Sequence, residues 1–247
     1  MSRKPHMLDI QRRIEAVELL KLMKERYTYK ELCEITGLPA TVLNRYVKGH
    51  VLPSRSRAEE LFSVFSRTIN LKEEVMARIK FDEGGYFDNT ALISDTLLLR
   101  LIAKRVAKVF ADREVTTVLT AAVDGIPIAV HVANALDARV AVAKREREIG
   151  VKKFLEESYT PSFSGIVMSL YLPQNALSNK DNVLIVDDVV RTGETQKALI
   201  SLVEKARGKL VGAFFLIAIG NAWIKHVNLP SDCKLEVLVN LAEPKNE

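Results

Sequence analysis

Two adjacent carboxylates, Asp187 and Asp188, follow an apolar run in the segment VLIVDDVVRTGET, residues 183–195. Threonine hydroxyls and Gly193 come after them, before a helical pattern begins. Glycine permits a close approach of the backbone, and the N–H groups at the start of a helix bind anions. The paired carboxylates can accept hydrogen bonds from the vicinal hydroxyls of a sugar. A phosphorylated ribose carries both a phosphate for the start of the helix and vicinal hydroxyls for the two carboxylates.

Apolar strands alternate with amphipathic helices around this segment, from about residue 91 onward. The expected strands are VTTVLT, RVAVAK, GIVMSLYLP, VLIVDD and KLVGAFFLIAI, and the expected helices are ISDTLLLRLIAKRVAKVF, IPIAVHVANAL and ETQKALISLVEKA. This alternation predicts a parallel sheet with crossover helices. Ligands bind such sheets at the carboxyl ends of the strands, where we expect Asp187 and Asp188 to lie.

The first third of the chain differs from the rest in charge. The net charge is +5, and residues 1–80 hold 16 Lys and Arg against 10 Asp and Glu, whereas residues 81–247 hold 20 against 21. A basic module joined to a near-neutral one indicates a nucleic-acid-binding unit attached to a second domain.

Short helices are expected in the basic module. Apolar residues recur at helical spacing from Asp9 to Glu25, Thr28 can cap a second helix that ends at Gly37, and Pro39 can open a third. This order of helix, tight glycine turn and helix in YKELCEITGLPATVLNRYVKGH resembles the helix-turn-helix of repressor-like DNA-binding domains.

The third helix carries side chains that suit the major groove of DNA. Asparagine can pair two ways with adenine, arginine two ways with guanine, and threonine or alanine can contact a thymine methyl group. The expected DNA-binding residues are Ala40, Thr41, Asn44, Arg45 and Lys48. The alternative is a helical hairpin for dimerisation or protein contact, with Arg45 and Lys48 merely solvated. A further helix, SRSRAEELFSVFSRTIN, offers Arg55 and Arg57 to phosphates.

These patterns divide the chain into three parts. Residues 1–70 form the helix-turn-helix domain, residues 71–90 a connector and residues 91–247 the α/β domain. Gly84 and Gly85 mark the most flexible point of the connector.

Several kinds of site have no support in the sequence. No G-x-x-x-x-G-K-[ST] or G-x-G-x-x-G motif favours a P-loop or dinucleotide site. Cys33 and Cys233 lie far apart without CxxC spacing, and the four histidines form no cluster, so we expect neither a disulfide framework nor a metal site made by the protein alone. No apolar stretch reaches the length of a membrane span, so we expect no membrane contact and a cytoplasmic location.

The segment VLIVDDVVRTGET resembles the phosphoribosyl pyrophosphate (PRPP) signature of type I phosphoribosyltransferases, and similar companion motifs appear in that family's order across roughly residues 91–247. The resemblance implies an α/β domain of that type, with a parallel sheet, crossover helices and a C-terminal hood. It assigns the ribose hydroxyls to Asp187 and Asp188. It assigns the 5'-phosphate to Val189, Val190, Arg191, Thr192, Gly193, Glu194 and Thr195. Trp223 either stacks on a base in the hood or fills a core or a dimer contact.

Two further segments are similar to the parts of that family that bind pyrophosphate. TAAVDGIPIA is similar to the pyrophosphate loop, and the polar stretch from Lys144 to Gly165 stands where the family has a mobile loop that closes over the substrate. The residues implied for pyrophosphate are Ala122, Val123, Asp124, Gly125, Lys144 and Arg145. Magnesium accompanies PRPP in such sites, so Mg²⁺ bound with the ligand is the implied cofactor.

Two residues depart from the family's pattern. Asp124 places a carboxylate in the pyrophosphate loop, where it repels the ligand unless magnesium intervenes or the side chain points away. Arg191 places a cation in the phosphate loop, which favours retention of the anion. Both departures weaken the case for catalysis, and we assign no catalytic residue.

A basic helix-turn-helix joined to this domain resembles the phosphoribosyltransferase-like transcription regulators. These include the purine repressor of some bacteria and similar regulators of archaea. The resemblance implies a homodimer that binds an operator in DNA, senses PRPP and controls genes of nucleotide or linked sugar metabolism. Two alternatives stay open: an active purine or orotate phosphoribosyltransferase with an accessory helical domain, and a regulator that binds messenger RNA. The discrete helical module favours duplex DNA.

Overall fold

The computed structural model describes residues 5–68, 70–81, 87–161 and 165–243. The chain divides into two compact units, Met1–Ala77 and Arg78–Glu247.

The predicted connector does not stand apart from these units. Residues 71–76 form a helix within the first unit, and residues from Arg78 onward belong to the second. Gly84 and Gly85, which the sequence marks as its flexible point, lie outside the described residues.

The first unit is a set of helices around a small apolar core. Its helices are α1 (Pro5–Arg26), α2 (Tyr29–Thr36), α3 (Ala40–Val47), α4 (Arg55–Thr68) and α5 (Leu71–Met76). Leu20, Leu32, Leu43 and Phe65 come from four of these helices and are fully buried in one cluster. Neither α1 nor any other helix that the structure describes combines the length and apolar character needed to cross a membrane.

The turn between α2 and α3 has the local chemistry that the sequence predicts. Thr28 and Glu31 form a reciprocal capping box at the start of α2. Gly37 ends α2 in the left-handed conformation (φ 68°), and its N–H donates to the Cys33 carbonyl oxygen over 2.8 Å. Pro39 precedes α3 in an extended conformation. The predicted pair of short helices joined by a tight glycine turn is confirmed.

The second unit is built on a parallel sheet. Its strands are β1 (Lys80–Phe81), β2 (Phe87–Asp88), β3 (Thr117–Ala121), β4 (Arg139–Ala143), β5 (Phe154–Tyr159), β6 (Met168–Pro173), β7 (Asn182–Val190), β8 (Lys209–Ile219) and β9 (Lys234–Leu241). Its helices are α6 (Thr90–Ile93), α7 (Thr96–Val109), α8 (Gly125–Leu136), α9 (Glu194–Lys205) and a 3₁₀ turn, η1 (Ala222–Lys225). The main sheet has the order β4-β3-β7-β8-β9, and all neighbours in it are parallel. The predicted parallel sheet with crossover helices is confirmed, but β6, from the predicted strand GIVMSLYLP, lies outside it and pairs antiparallel with β5.

Strand β7 lies in the middle of this sheet and carries both carboxylates. Its pairing with β3 ends at Ile185, whereas its pairing with β8 continues to Val190. Asp187 and Asp188 therefore lie beyond the end of the β3 ladder, near the carboxyl end of β7. The strand does not stop at the diacid as expected, because the 11-residue strand β8 offers hydrogen-bonding partners for two more residues.

The residues after β8 extend the main sheet. They form η1 and then β9, whose alternating sequence KLEVLVNL was not among the predicted strands. Trp223 of η1 is 6% exposed, meets the ring of Phe215 edge to face at 6.0 Å and donates from Nε1 to the Gly220 carbonyl oxygen. The interpretation that Trp223 fills the core is therefore confirmed. A ring packed in this way does not present a stacking face to a base.

Candidate functional site

Asp187 and Asp188 form a buried diacid, with 5% and 9% of their surfaces exposed. Each carboxylate accepts a hydrogen bond from a side-chain amide. Nε2 of Gln196, on α9, lies 2.7 Å from Oδ2 of Asp187, and Nδ2 of Asn89 lies 2.6 Å from Oδ2 of Asp188. The protein thus orients both carboxylates through one oxygen of each.

Burial and repulsion raise the pKa of both carboxyl groups. Burial raises the pKa of Asp187 well above its ordinary value, and the negative charge of Asp188 adds to the effect. Burial also raises the pKa of Asp188, to which the carboxylate of Asp124 contributes. Hydroxyl donors or a cation beside these groups would relieve the concentration of negative charge. The diacid therefore favours a ligand that brings such groups.

Gly125 is the point at which the loop after β3 meets the diacid. A Cβ atom at this position would overlap Oδ1 of Asp187 and Oγ1 of Thr120. Gly125 is also the first residue of α8 and is buried. The absence of a side chain at Gly125 therefore lets the predicted pyrophosphate loop lie against Asp187.

The predicted pyrophosphate loop lines one cleft of about 720 Å³ together with Lys144 and Arg145, the basic residues also expected to bind pyrophosphate. Its lining residues are Ala122, Val123, Asp124, Lys144, Arg145, Glu146, Arg147 and Glu148. The two segments meet because β3 and β4 are parallel neighbours, with Ala121 paired to Ala143, so the residues that follow the two strands emerge side by side. The Ala122–Val123 peptide bond in this cleft is cis.

Acidic side chains engage some of the basic groups of the cleft. The Lys144 ammonium group pairs with the carboxylate of Glu148, so it must exchange this partner to bind a pyrophosphate. Arg147 pairs with Glu156 at 2.6 Å. Arg145 is exposed and forms no ion pair with any residue that the structure describes.

The polar segment from 144 to 165 is not a single loop. Its residues Phe154–Tyr159 are β5, which pairs antiparallel with β6. Nζ of Lys205, on α9, lies 2.5 Å from Oε2 of Glu157 and fastens this strand to the helix. Over β5 the predicted loop is therefore a paired strand, and residues 162–164 lie outside the described residues.

The predicted phosphate segment combines strand, bend and helix. Val189 and Val190 are strand residues that pair with β8. The next two residues form a bend, and α9, 12 residues long, begins after Gly193. The first N–H groups of a helix have no acceptor within the helix, so the anion site that this geometry offers is the backbone of residues 191–195. It is shorter than the predicted segment.

Gly193 permits the close packing of this loop. Its φ of 88° is left-handed, and a Cβ atom on it would lie 2.9 Å from the carbonyl oxygen of Trp223. Beside it, Nδ1 of His226 lies 2.7 Å from the Thr192 carbonyl oxygen. The segment after β8 therefore packs against the predicted phosphate loop.

Side chains from two other segments meet the same loop. Arg191 pairs with Glu243 at 2.8 Å. The hydroxyl groups of Thr195 and Tyr159 lie 3.4 Å apart. A phosphate bound at this helix terminus would compete with the Glu243 carboxylate for the Arg191 guanidinium group.

The five predicted DNA-binding residues do not have equal environments. Ala40, Thr41, Arg45 and Lys48 are exposed on or beside α3. Asn44 is half-buried, and its Oδ1 accepts a hydrogen bond from the Tyr29 hydroxyl over 3.0 Å. Asn44 therefore also joins α3 to α2.

The two arginines of α4 have acidic partners on the same helix. Nε of Arg55 lies 3.3 Å from Glu59, and Nη1 of Arg57 lies 2.7 Å from Glu60. Their availability for DNA phosphates is reduced accordingly.

The sequence predictions missed both amides that hold the diacid. Gln196 lies in the first turn of the helix after Gly193, so its nearness in sequence was a usable signal. Asn89 is 99 residues from Asp188 and falls in the predicted connector. No local pattern indicates such a partner.

A family model for the phosphoribosyl transferase domain matches residues 90–243. The purine biosynthesis transcriptional repressor PurR of Bacillus subtilis (strain 168) is 25% identical over 163 residues, which are 66% of this chain and 55% of the repressor. Xanthine phosphoribosyltransferase of Streptococcus pyogenes serotype M5 (strain Manfredo) is 32% identical over 124 residues, 50% of this chain and 64% of that enzyme. The chain spans about half the length of the PurR relatives it matches.

The crystal structure of adenine phosphoribosyltransferase from Rhodothermus marinus superposes with a TM-score of 0.61 at 27% identity, covering 69% of this chain and 98% of that one. The likeness agrees with the parallel sheet and crossover helices of the second unit, which is a type I phosphoribosyltransferase fold. Because the family model covers more than half of the sequence, this chain belongs to the phosphoribosyl transferase domain family.

Proposed function

We propose that this protein is a DNA-binding transcription regulator that senses PRPP through its second unit and controls genes of purine biosynthesis. The observation that carries the proposal is that one chain holds two short helices joined by a glycine turn, with Arg45 and Lys48 exposed, and a phosphoribosyltransferase fold with a diacid beside a helix N-terminus. The similarity to a repressor named for purine biosynthesis supports this choice of genes.

The ligand is inferred from the chemistry of the site. The buried diacid accepts hydroxyl donors, the backbone of residues 191–195 suits a phosphate monoester, and the cleft that Arg145 lines suits a pyrophosphate. PRPP carries all three groups on one ribose.

Magnesium fits this site as part of the ligand. The described residues contain no cluster of three or more His, Cys, Asp or Glu side chains placed to hold a metal by themselves. Asp124 lines the cleft and contributes to the raised pKa of Asp188. Mg²⁺ bound with the ligand beside Asp124 and Asp188 would offset this repulsion and neutralise part of the pyrophosphate charge.

The DNA-binding role rests on α3 and on symmetry. Arg45 and Lys48 are exposed, and Arg45 is available for a guanine edge. A homodimer would present two such helices to half-sites about 34 Å apart. PRPP would alter operator affinity by binding more tightly to one of two arrangements of the dimer.

An active phosphoribosyltransferase is the second candidate, because the relatives include a xanthine phosphoribosyltransferase. The two are separated by mixing the protein with PRPP, Mg²⁺ and xanthine, adenine, guanine, hypoxanthine or orotate in turn and measuring pyrophosphate release. The regulator is expected to release no more pyrophosphate than a heat-denatured sample. Turnover at about 1 s⁻¹ or faster, in the ordinary range of enzymes, would favour the enzyme.

The direct test of the regulator is operator binding. Fluorescence anisotropy with the promoter of the protein's own gene, titrated with and without PRPP and Mg²⁺, is expected to give two different dissociation constants. A mixture of ribose 5-phosphate and pyrophosphate is the control, since it supplies the chemical groups of PRPP in two separate molecules. Equal dissociation constants with PRPP demonstrably bound would remove the sensor, and binding to the RNA copy in preference to the duplex would replace DNA with RNA as the target.

A further inference from the structure

The segment from Arg78 to Asn89 is the first stretch of the second unit after the chain leaves the helical unit. At its start, Nε of Arg78 lies 2.6 Å from Oδ2 of Asp95, the residue that caps α7. At its end, Nδ2 of Asn89 lies 2.6 Å from Oδ2 of Asp188. One of the two attachments of this segment is therefore a carboxylate of the diacid.

The described residues between these attachments are linked to each other. Strands β1 and β2 pair antiparallel, and the rings of Phe81 and Phe87 meet edge to face with centroids 5.7 Å apart. Oδ1 of Asp88 accepts a hydrogen bond from the Thr90 backbone over 2.9 Å. Asn89 is therefore connected through β2 to β1, whose first residue is two positions after Arg78.

A ligand and Asn89 would draw on the same acceptor. A ribose diol at the diacid donates hydrogen bonds to Asp188, whose carboxylate already receives the Asn89 amide. Hydrogen bonds to a charged acceptor are short and strong, and their geometry changes when further donors arrive. The free energy of the Asn89 bond therefore differs between the empty and the occupied site, which is the condition for coupling two sites.

We propose that Asn89 is a positioning residue for Asp188 that couples occupancy of the ribose site to the paired strands β1 and β2 and so to the DNA affinity of the first unit. The proposal rests on PRPP sensing as the function of the domain. The Asn89 hydrogen bond is the end that responds to the ligand, and the Arg78 ion pair with Asp95 lies at the other end, next to the first unit.

The test measures the coupling in the full chain. For each variant, PRPP binding is titrated first, and the dissociation constant for operator DNA is then measured without PRPP and at PRPP that saturates that variant. Asn89→Ala removes the donor, and Asn89→Asp keeps the shape but repels Asp188. Asn134→Ala, at an exposed position on α8, is the matched control.

In wild type and in Asn134→Ala, the DNA dissociation constants with and without PRPP are expected to differ by about fivefold or more. In both Asn89 variants, these two constants are expected to differ by no more than about twofold, although PRPP still binds. A wild-type ratio in the Asn89 variants would overturn the role of Asn89 and leave the sensor in place. Loss of all PRPP binding in both variants would also overturn it, since Asn89 would then belong to the ligand site alone. A ratio of one in wild type with PRPP bound would instead remove the proposed function itself.

Discussion

The carboxamide of Gln196 lies 2.7 Å from the carboxylate of Asp187, and both side chains are buried. This hydrogen bond lowers the pKa of Asp187, but burial and the charge of Asp188 raise it by more, and the net direction is upward. A carboxyl group whose pKa is raised by folding stabilises the folded state only while it is protonated. Its contribution is complete below the ordinary pKa and is lost as the pH rises through the folded pKa.

Asp187→Asn is therefore expected to make the ligand-free protein more stable at pH 7 and to weaken PRPP binding. The gain in stability should shrink as the pH falls towards the ordinary pKa of a carboxyl group, because Asp187 of the wild type is then protonated as well. Urea unfolding at several pH values measures it, and calorimetric titration with PRPP should show at least about a tenfold loss of affinity. Asp112→Asn removes an equal charge from an exposed turn and should leave PRPP affinity unchanged. A variant less stable than wild type at pH 7 would contradict the direction of this pKa shift.

Gly125→Ala is expected to disable the ligand site, because its Cβ would overlap the carboxylate of Asp187. Either the loop or the diacid must move, at a cost of about 1–3 kcal/mol in stability. PRPP affinity should fall at least about tenfold, which corresponds to about 1.4 kcal/mol. Gly208→Ala is the matched control, since a Cβ there meets nothing closer than 3.4 Å. Equal PRPP affinities of the two variants would show that contact between the loop and Asp187 is unimportant.

Arg45→Ala is expected to weaken operator binding by about 1–3 kcal/mol and to leave PRPP affinity unchanged. Arg57→Ala removes the same charge from the same unit, but Arg57 already pairs with Glu60 at 2.7 Å. Its effect on DNA should therefore be smaller, and anisotropy titrations at one fixed salt concentration compare the two. Equal losses would indicate that general charge, and not the face of α3, binds the DNA.

Asp181 lies just before the end of β7 that is opposite to the diacid, and its carboxylate provides a second test of stability. Burial by itself would raise its pKa, but hydrogen bonds from Ser178, Thr117 and Arg139 outweigh burial and hold its pKa well below the ordinary value. A lowered folded pKa contributes stability above the ordinary pKa that is lost as the pH falls towards the folded pKa. Asp181→Ala should cost about 2–4 kcal/mol at pH 7 and progressively less in acid.

The measurement for Asp181→Ala is denaturant unfolding followed by circular dichroism at neutral and acid pH. Because Asp181 immediately precedes the amino end of β7 and the diacid lies near its carboxyl end, PRPP affinity of the folded variant should match wild type. A selective loss of PRPP binding without a loss of stability would place Asp181 in the ligand site instead.

Local patterns in the sequence predicted much of the architecture. Thr28, Gly37 and Pro39 set the ends of α2 and the start of α3 through caps and a left-handed turn. The apolar runs predicted β3, β4, β6, β7 and β8 but not β1, β2, β5 or β9, and the order of Asp187, Asp188 and Gly193 indicated a diol site beside an anion site. Such features need only neighbours along the chain, so the sequence determines them by itself.

Tertiary packing decided what surrounds those features. The register of Ala121 with Ala143 brings two loops into one cleft, and the length of β8 carries β7 past the diacid. Asn89 meets Asp188 across 99 residues. Contacts between distant segments depend on how whole elements pack, and a buried carboxylate accepts whichever donor that packing delivers, so no local pattern specifies the partner.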